Sequence, residues 1–152
     1  MVKSRLTCLW LAAALVAATP VFGHEVVSYE IVGDAVPMAL GGRVGDRQRG
    51  KVIVLDRRRG NCLICHTFPV ANEPFQGDLG PALGDVGKRL SEGQIRLRLI
   101  DPLRLNPKSL MPAYYKVDGL REVAPEYQGK PALEAQEIED VTAYLVSLKG
   151  QQ

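Results

Sequence analysis

The chain has the composition of an ordinary globular protein: 152 residues, of which 46% are hydrophobic and 24% are charged. These values suit one folded domain and argue against a disordered or collagen-like chain. The 19 Lys and Arg residues nearly balance the 17 Asp and Glu residues, so we expect no nucleic-acid partner. Three cysteines are too few for a dense disulfide framework.

The first 23 residues have the pattern of a cleaved signal peptide. Lys3 and Arg5 precede an apolar stretch, Leu6–Ala18, and small residues suited to signal peptidase occupy the third-last and last positions. The alternative is an uncleaved membrane anchor, but the stretch is shorter than the roughly 20 residues that cross a bilayer. The pattern predicts export to the periplasm, no membrane span and a mature chain that begins at His24.

An irregular N-terminal extension is predicted over residues 24–42, ahead of a compact domain over 43–152. Glycines interrupt most of the extension. Four β-branched residues could form an edge strand within it: Val26, Val27, Ile31 and Val32.

The first predicted helix follows Asp46, a residue type that caps helix N-termini. Its candidate buried positions are Val52, Ile53 and Leu55. The run Arg57–Gly60 is expected to end this helix, because cations are favoured at the negative end of a helix dipole and glycine terminates helices.

Prolines and glycines exclude long helices over residues 61–90 and 101–132. Between these loops, Ser91 and Gln94 form a capping-box pattern that predicts a helix over 92–100. The result is a mainly α domain whose long loops require an organising group.

The last predicted helix has the clearest pattern. Its apolar stripe consists of Ile138, Val141, Leu145 and Leu148. Acidic residues crowd its start (Glu134, Glu137, Glu139 and Asp140), and Lys149-Gly150 closes it, as the helix dipole favours.

One motif carries the chemistry: Cys62-Leu63-Ile64-Cys65-His66, which has the spacing of a c-type haem attachment site. Two thiols one turn apart can add to the two vinyl groups of a porphyrin, and the adjacent imidazole then lies below the iron. A redox disulfide and half a zinc site are the alternatives. No βαβ pattern supports the first, and a closed zinc site needs four ligands, for which the mature chain offers only Cys62, Cys65, His66 and the terminal His24. The prediction is one covalent haem c.

Met111, in a proline-rich loop, is the predicted sixth iron ligand, because a thioether favours ferrous iron and raises the reduction potential. Lys108 and His24 are the alternatives, and Met111 could also fill a gap in the core. The carbonyl of Pro81 could orient His66 by accepting the hydrogen bond of its other ring nitrogen, unless Pro81 belongs to an ordinary turn.

Two further features allow two interpretations each. Arg57–Arg59 could be a solvated helix end, or it could dock a partner or pair with haem propionates. Tyr114 and Tyr115 could pack on the haem or bond a propionate, or they could fill the core.

On these motifs the chain resembles the SoxX family, whose members are the monohaem c-type subunits of the SoxAX complex of bacterial sulfur oxidation. The matching segments are Gly60–His66, Gly80-Pro81, Met111–Tyr115, Gly129–Pro131 and Glu139–Leu145, and the resemblance extends over about residues 43–149. It implies a class I cytochrome c fold, covalent attachment at Cys62 and Cys65, and iron ligation by His66 and Met111.

The resemblance also implies a reaction. SoxAX, an L-cysteine S-thiosulfotransferase, joins thiosulfate oxidatively to a cysteine of the carrier SoxYZ, with the catalytic cysteine-ligated haem on SoxA. This chain would be an enzyme only as a subunit, supplying no catalytic residue, accepting electrons and passing them to a soluble cytochrome c. A free-standing periplasmic electron shuttle without a permanent SoxA partner is the rival function.

Overall fold

The computed structural model describes residues 26–150. Within that range, the α-helices are α1 (Arg47–Leu55), α2 (Val86–Arg89), α3 (Glu92–Ile100) and α4 (Ala135–Ser147). Short 3₁₀ turns lie at Leu40–Gly42, Cys62–Ile64, Pro102–Arg104 and Pro125–Tyr127. The proline- and glycine-rich stretches between the helices are loops, as predicted.

Helix α4 is the centre of the packing, because α1, α2 and α3 all contact it. The closest approach is at Gly50 of α1, where an added methyl group would collide with the backbone carbonyl of Asp140. Only glycine therefore allows α1 to lie this close to α4. The core beneath these helices includes Val54, Ile95, Ile138 and other residues that are almost completely buried.

Helix α1 begins as predicted but ends earlier. The carboxylate of Asp46 accepts hydrogen bonds from the backbone N–H groups of Gln48 and Arg49. The helix stops at Leu55, because Asp56 is extended and its carboxylate accepts the N–H of Arg58, which turns the chain. The prediction that the arginine run and Gly60 terminate the helix was therefore wrong.

The predicted burial along α1 was also wrong in part. Val54 is fully buried, whereas Val52 is 68% exposed and both Ile53 and Leu55 are half-buried. The reason is the position of α4, which faces Gly50 and Val54, one helical turn apart.

The cap predicted for α3 is present, and α4 has an equivalent cap that was not predicted. Ser91 and Gln94 form the capping box of α3, with each side chain bonded to the other's backbone N–H. Glu134 and Glu137 form the equivalent box on α4. Helix α4 ends at Ser147, ahead of Lys149-Gly150, and the Lys149 ammonium donates to the carbonyl of Gly87 instead.

Two acidic residues of α4 are buried ion-pair partners. The Glu139 carboxylate is 2.8 Å from Nε of Arg96 on α3, and both residues are at most 2% exposed. The Asp140 carboxylate accepts from Nε of Arg49 at 2.7 Å. The helix-dipole interpretation of these two residues therefore misses their main role, which is to join α4 to α3 and α1.

Residues 26–42 lie on the helices. Val36 and Leu40 are buried in the common core, and Arg96 donates to the Val36 carbonyl at 2.7 Å. The edge strand predicted here was wrong: between residues 26 and 150 no strand forms, and Val32 makes only one bridge, to Ala35, around a tight turn at Gly33. The domain boundary at residue 43 stays a prediction.

The predicted signal peptide, residues 1–23, lies outside the described residues. Across the part of the chain that is described, no helix has the length and apolarity needed to cross a bilayer.

Candidate functional site

A cavity of about 980 Å³ lies among the loops, α3 and α4. Its lining brings together Cys62, Cys65, His66 and Met111, the residues that the sequence singled out. The volume is at the upper end of the roughly 300–1,000 Å³ that small-molecule and cofactor sites occupy. The cavity is therefore large enough to hold a large cofactor.

The cysteine motif forms a tight turn on the cavity wall. Asn61 adopts a left-handed conformation (φ 50°), which asparagine tolerates better than most residues, and the 3₁₀ turn Cys62–Ile64 follows. The carbonyl of Cys62 accepts the N–H groups of both Cys65 and His66, at 3.2 and 3.0 Å. Leu63 is completely buried and anchors this turn. The turn thus fixes both sulfurs and the imidazole within five residues.

The two cysteines are unpaired thiols in the structure. Burial raises the pKa of Cys62 to about 11. Burial therefore disfavours the thiolate, which is the form of cysteine that takes part in disulfide exchange. Within residues 26–150, no three His, Cys, Asp or Glu side chains are grouped so that they could hold a metal ion.

The imidazole of His66 is held from one side by Gly80-Pro81. Its Nδ1 lies 2.8 Å from the carbonyl oxygen of Pro81. Because a carbonyl oxygen can only accept, Nδ1 carries the proton, and the lone pair of Nε2 is left to bind a metal. The Gly80 N–H in turn donates to the Cys65 carbonyl at 2.7 Å.

Gly80 also lies directly against the ring. A methyl group built there would be 2.7 Å from Nδ1 and 2.9 Å from Nε2 of His66, and nearer still to Cε1. Contacts below 3.0 Å are essentially never seen for a real Cβ atom. Any larger residue at this position would therefore displace the imidazole.

The methionine loop approaches the cavity from another part of the chain. Met111 is partly buried, and its N–H donates to the Ser109 hydroxyl at 3.2 Å. Tyr114 fixes the far end of the loop: its hydroxyl donates to the Gly60 carbonyl at 2.7 Å, and its N–H donates to the Leu99 carbonyl at 2.9 Å. Burial, together with the Cys62 thiol, raises the pKa of Tyr114, so the hydroxyl keeps its proton and remains a donor.

The alternative sixth ligands differ in position. Lys108 lines the same cavity as Met111 but is exposed. His24 lies outside the described residues. Met38 is 76% exposed in the segment 26–42. Met111 therefore combines a place on the cavity wall with partial burial and an uncharged lone-pair donor.

Cationic side chains surround the cavity, and the described lining contains no acidic residue. The cations are Arg59, Arg89, Arg98, Lys108, Lys116 and Lys130. Three of them already pair with carboxylates outside the lining: Arg59 with Glu137, Arg89 with Asp85, and Lys116 with Asp101. An apolar cavity with a cationic rim suits a large apolar ligand that carries carboxylates, as haem does.

The structure also gives the contacts of the arginine run and of the two tyrosines, for which the sequence allowed two interpretations each. Arg59 pairs with Glu137 of α4, and Arg57 donates to the Pro74 carbonyl, so these arginines brace loops. Tyr115 is completely buried, and its hydroxyl accepts a hydrogen bond from the N–H of Val27 at 2.7 Å. Sequence reasoning missed the Tyr114–Gly60 link, for which the only signal was the adjacency of two tyrosines to Met111.

Comparison with known proteins finds similarity among solved structures. No family model matches the chain, and no curated protein matches it. The solved structure of SoxXA from P. pantotrophus contains a similar chain, at 35% sequence identity and a TM-score of 0.73. The match covers 80% of this chain and 94% of that chain.

The chain belongs to the SoxX family. The resemblance drawn from the motifs is thereby confirmed, as is the mainly α, class I cytochrome c-like fold. A SoxX chain is a c-type cytochrome of sulfur oxidation, so its function is electron transport.

Proposed function

We propose that this chain carries one haem c, attached through thioether bonds at Cys62 and Cys65, with His66 and Met111 as the axial ligands. The single observation that carries this proposal is the 980 Å³ cavity whose wall includes all four side chains. A bound haem supplies one-electron oxidation and reduction of iron, which none of these side chains supplies.

The residues around the cavity have distinct tasks. Cys62 and Cys65 provide the two sulfurs from the two ends of one tight turn. The Pro81 carbonyl holds the proton of His66 on Nδ1 and so presents Nε2 to the metal. Met111 supplies an uncharged, soft sulfur, which favours the reduced state of iron. An ammonium such as that of Lys108 must first lose a proton before it can act as a ligand.

The second part of the proposal concerns the assembly. The chain is the electron-accepting subunit of a SoxAX complex and has a SoxA chain as its permanent partner. The family match, to a chain taken from a SoxXA structure, supports this assignment. In the reaction, thiosulfate and a SoxYZ cysteine thiol form a sulfur–sulfur bond, and the thiol proton and two electrons leave. Cys62 and Cys65 carry haem in this proposal, so neither can be the sulfur nucleophile, and the chain contributes electron acceptance to an L-cysteine S-thiosulfotransferase.

The electrons leave the chain one at a time to a soluble cytochrome c. The rival function, a free-standing shuttle, uses the same haem site without SoxA. The two differ in what accompanies the chain when it is purified from its native host. A stable complex with a second haem-containing subunit, identified by mass spectrometry after gel filtration, supports the SoxAX assignment. A monomer of about the mature mass contradicts it and leaves the shuttle.

Thiosulfate-dependent reduction gives a functional readout of the same proposal. We expect the visible spectrum of the chain to shift to the reduced form when thiosulfate is added with SoxA and SoxYZ present. Omission of SoxYZ is the matched control, because the thiol that accepts thiosulfate is then missing. Equal reduction with and without SoxYZ would contradict the proposed role.

Export to the periplasm is the last part of the proposal. Cleavage after Gly23 removes Trp10, the only tryptophan of the sequence. N-terminal sequencing of the purified protein should begin at His24, and the protein should show tyrosine emission only. A tryptophan signal would show that the leader is retained.

A further inference from the structure

Tyr114 joins the two segments that approach the cavity from different parts of the chain. Its hydroxyl donates to the carbonyl of Gly60, two residues before Cys62. Its backbone N–H donates to Leu99 on α3, and its carbonyl accepts the N–H of Leu133. The side chain is 9% exposed. Tyr114 is thus fixed against the cysteine turn, α3 and the segment that leads to α4.

Met111 itself has no comparable anchor. The hydrogen bonds of the loop that contains it are local. The N–H of Asn106 donates to the Pro102 carbonyl, the N–H of Ser109 to the Asn106 carbonyl, and the N–H of Met111 to the Ser109 hydroxyl. The neighbouring Leu110 is 76% exposed. A loop held only by local, solvent-exposed hydrogen bonds opens at low free-energy cost. The position of Met111 therefore depends on the nearest residue that is fixed from outside the loop.

That residue is Tyr114. Only Pro112 and Ala113 separate it from Met111, so the two Cα atoms can be no more than about 11 Å apart at roughly 3.6 Å per residue. Proline restricts the path further, because its ring fixes φ near −65°. Fixing Tyr114 thereby limits how far the methionine sulfur can move from the cavity.

We propose that Tyr114 is a positioning residue for the sixth ligand: its hydrogen bond to the Gly60 carbonyl ties the methionine loop to the cysteine turn and so keeps Met111 on the iron. The inference rests on the proposed function, since it takes Met111 to be the ligand. Tyr115 has a different task, because its hydroxyl meets Val27 in the segment 26–42 and not the cysteine turn.

The experiment compares Tyr114→Phe with wild-type holoprotein. The substitution keeps the ring and removes only the hydroxyl. Tyr144→Phe is the matched control: Tyr144 is 6% exposed, stacks on Phe68, and makes no hydroxyl hydrogen bond with any residue between 26 and 150. Each ferric protein is titrated with imidazole, which binds iron only when the methionine has left. The methionine–iron charge-transfer band and the thermal unfolding midpoint are recorded for each protein.

We expect Tyr114→Phe to bind imidazole about tenfold more tightly than wild type, since loss of one buried hydrogen bond is worth about one factor of ten in the opening of the loop. Tyr144→Phe should bind imidazole as wild type does. A merely structural role would lower the unfolding midpoint without changing the imidazole affinity, and that result would overturn the inference. If wild type itself lacks the methionine–iron band, the ligand assignment fails and the inference falls with it.

A measurement on the unmodified protein covers the case in which Tyr114→Phe does not mature. In proton NMR of the reduced protein, the Tyr114 hydroxyl proton should exchange slowly with water and show a nuclear Overhauser effect to the Cys62 side chain. A hydroxyl proton in fast exchange would mean that the link to Gly60 is not maintained, and the inference would be wrong.

Discussion

The histidine side and the methionine side of the cavity are built in different ways. On the histidine side, backbone hydrogen bonds connect residues 62–66 to one another and to 77–81, and Gly80 packs directly on the imidazole. On the methionine side, the hydrogen bonds of residues 102–111 stay within residues 101–111, and the links to more distant parts of the fold begin at Tyr114. In the proposed haem site, this difference predicts that His66 is fixed by its surroundings, whereas Met111 can leave the iron and return.

This asymmetry has a chemical consequence. The structure specifies both the orientation and the proton position of His66 through the Pro81 carbonyl. Met111 carries no proton to place, so its binding depends only on how closely the loop is held. Substitutions on the two sides should therefore give different results: loss of attachment or of histidine geometry on one side, and ligand exchange on the other.

The largest effect is expected from removing both sulfurs of the cysteine turn. Cys62→Ala together with Cys65→Ala should abolish covalent attachment, because no other thiol of the mature chain can form a thioether. Haem staining of a denaturing gel measures this directly, and each single variant serves as a control that retains one attachment point. A stained band for the double variant would contradict the attachment site.

The buried ion pair between α3 and α4 can be removed without changing a residue on the histidine side or the methionine side of the cavity. Glu139→Gln leaves Arg96 buried without its main partner and should lower the free energy of unfolding by about 3 kcal/mol. Glu92→Gln is the control, since Glu92 pairs with the same arginine but is 61% exposed, and should cost at most about 1 kcal/mol. Denaturant unfolding checks the cost. If Glu139→Gln shifted the reduction potential as much as a substitution of a candidate ligand does, the distinction between helix packing and iron ligation would be contradicted.

Loss of the methionine should change the potential and leave attachment intact. Met111→Ala is expected to lower the reduction potential by roughly 100 mV or more, within the range of about 0.8 V that axial ligands span. Met38→Ala is the matched control, because Met38 is exposed in the segment 26–42. An unchanged potential and an intact methionine–iron band in Met111→Ala would exclude Met111, and Lys108→Ala would be examined next.

The smallest of these effects is expected at Gly80. Gly80→Ala places a methyl group against the His66 ring and should destabilise the holoprotein by about 1–3 kcal/mol, the usual cost of overpacking. Gly84→Ala is the control, since its nearest contact would be an ordinary 3.8 Å from Pro69. Thermal unfolding, together with the ferric spectrum, separates a displaced imidazole from a general loss of stability. Equal behaviour of the two variants would show that Gly80 does not constrain the histidine.

Local signals account for what the sequence predicted correctly. The capping box at Ser91 and the apolar stripe that starts at Ile138 involve residues three or four apart, so α3 and α4 could be placed from the chain alone. The same is true of the cysteine turn, whose geometry depends on five consecutive residues. The end of α1 was misplaced because the Asp56 turn competes with the arginine run, and propensities do not decide between them.

The remaining features depend on contacts between distant residues. Arg96 meets Glu139 across 43 positions, and Tyr114 meets Gly60 across 54. Neither pair is distinguishable in the sequence from a solvated charge or an aromatic residue of the core. The burial of Val54 and the exposure of Val52 likewise depend on where α4 lies. The candidate ligands and the Pro81 carbonyl were predicted from the sequence, whereas the contacts that Tyr114 and Gly80 make around them required the fold.

The most direct test of the central claim is the intact mass of the mature protein, expressed in a host that matures c-type cytochromes and measured under denaturing conditions. We expect the mass of the polypeptide that begins at His24 plus one haem, because both sulfurs of the cysteine turn hold it covalently. The mass of the bare polypeptide would contradict the account.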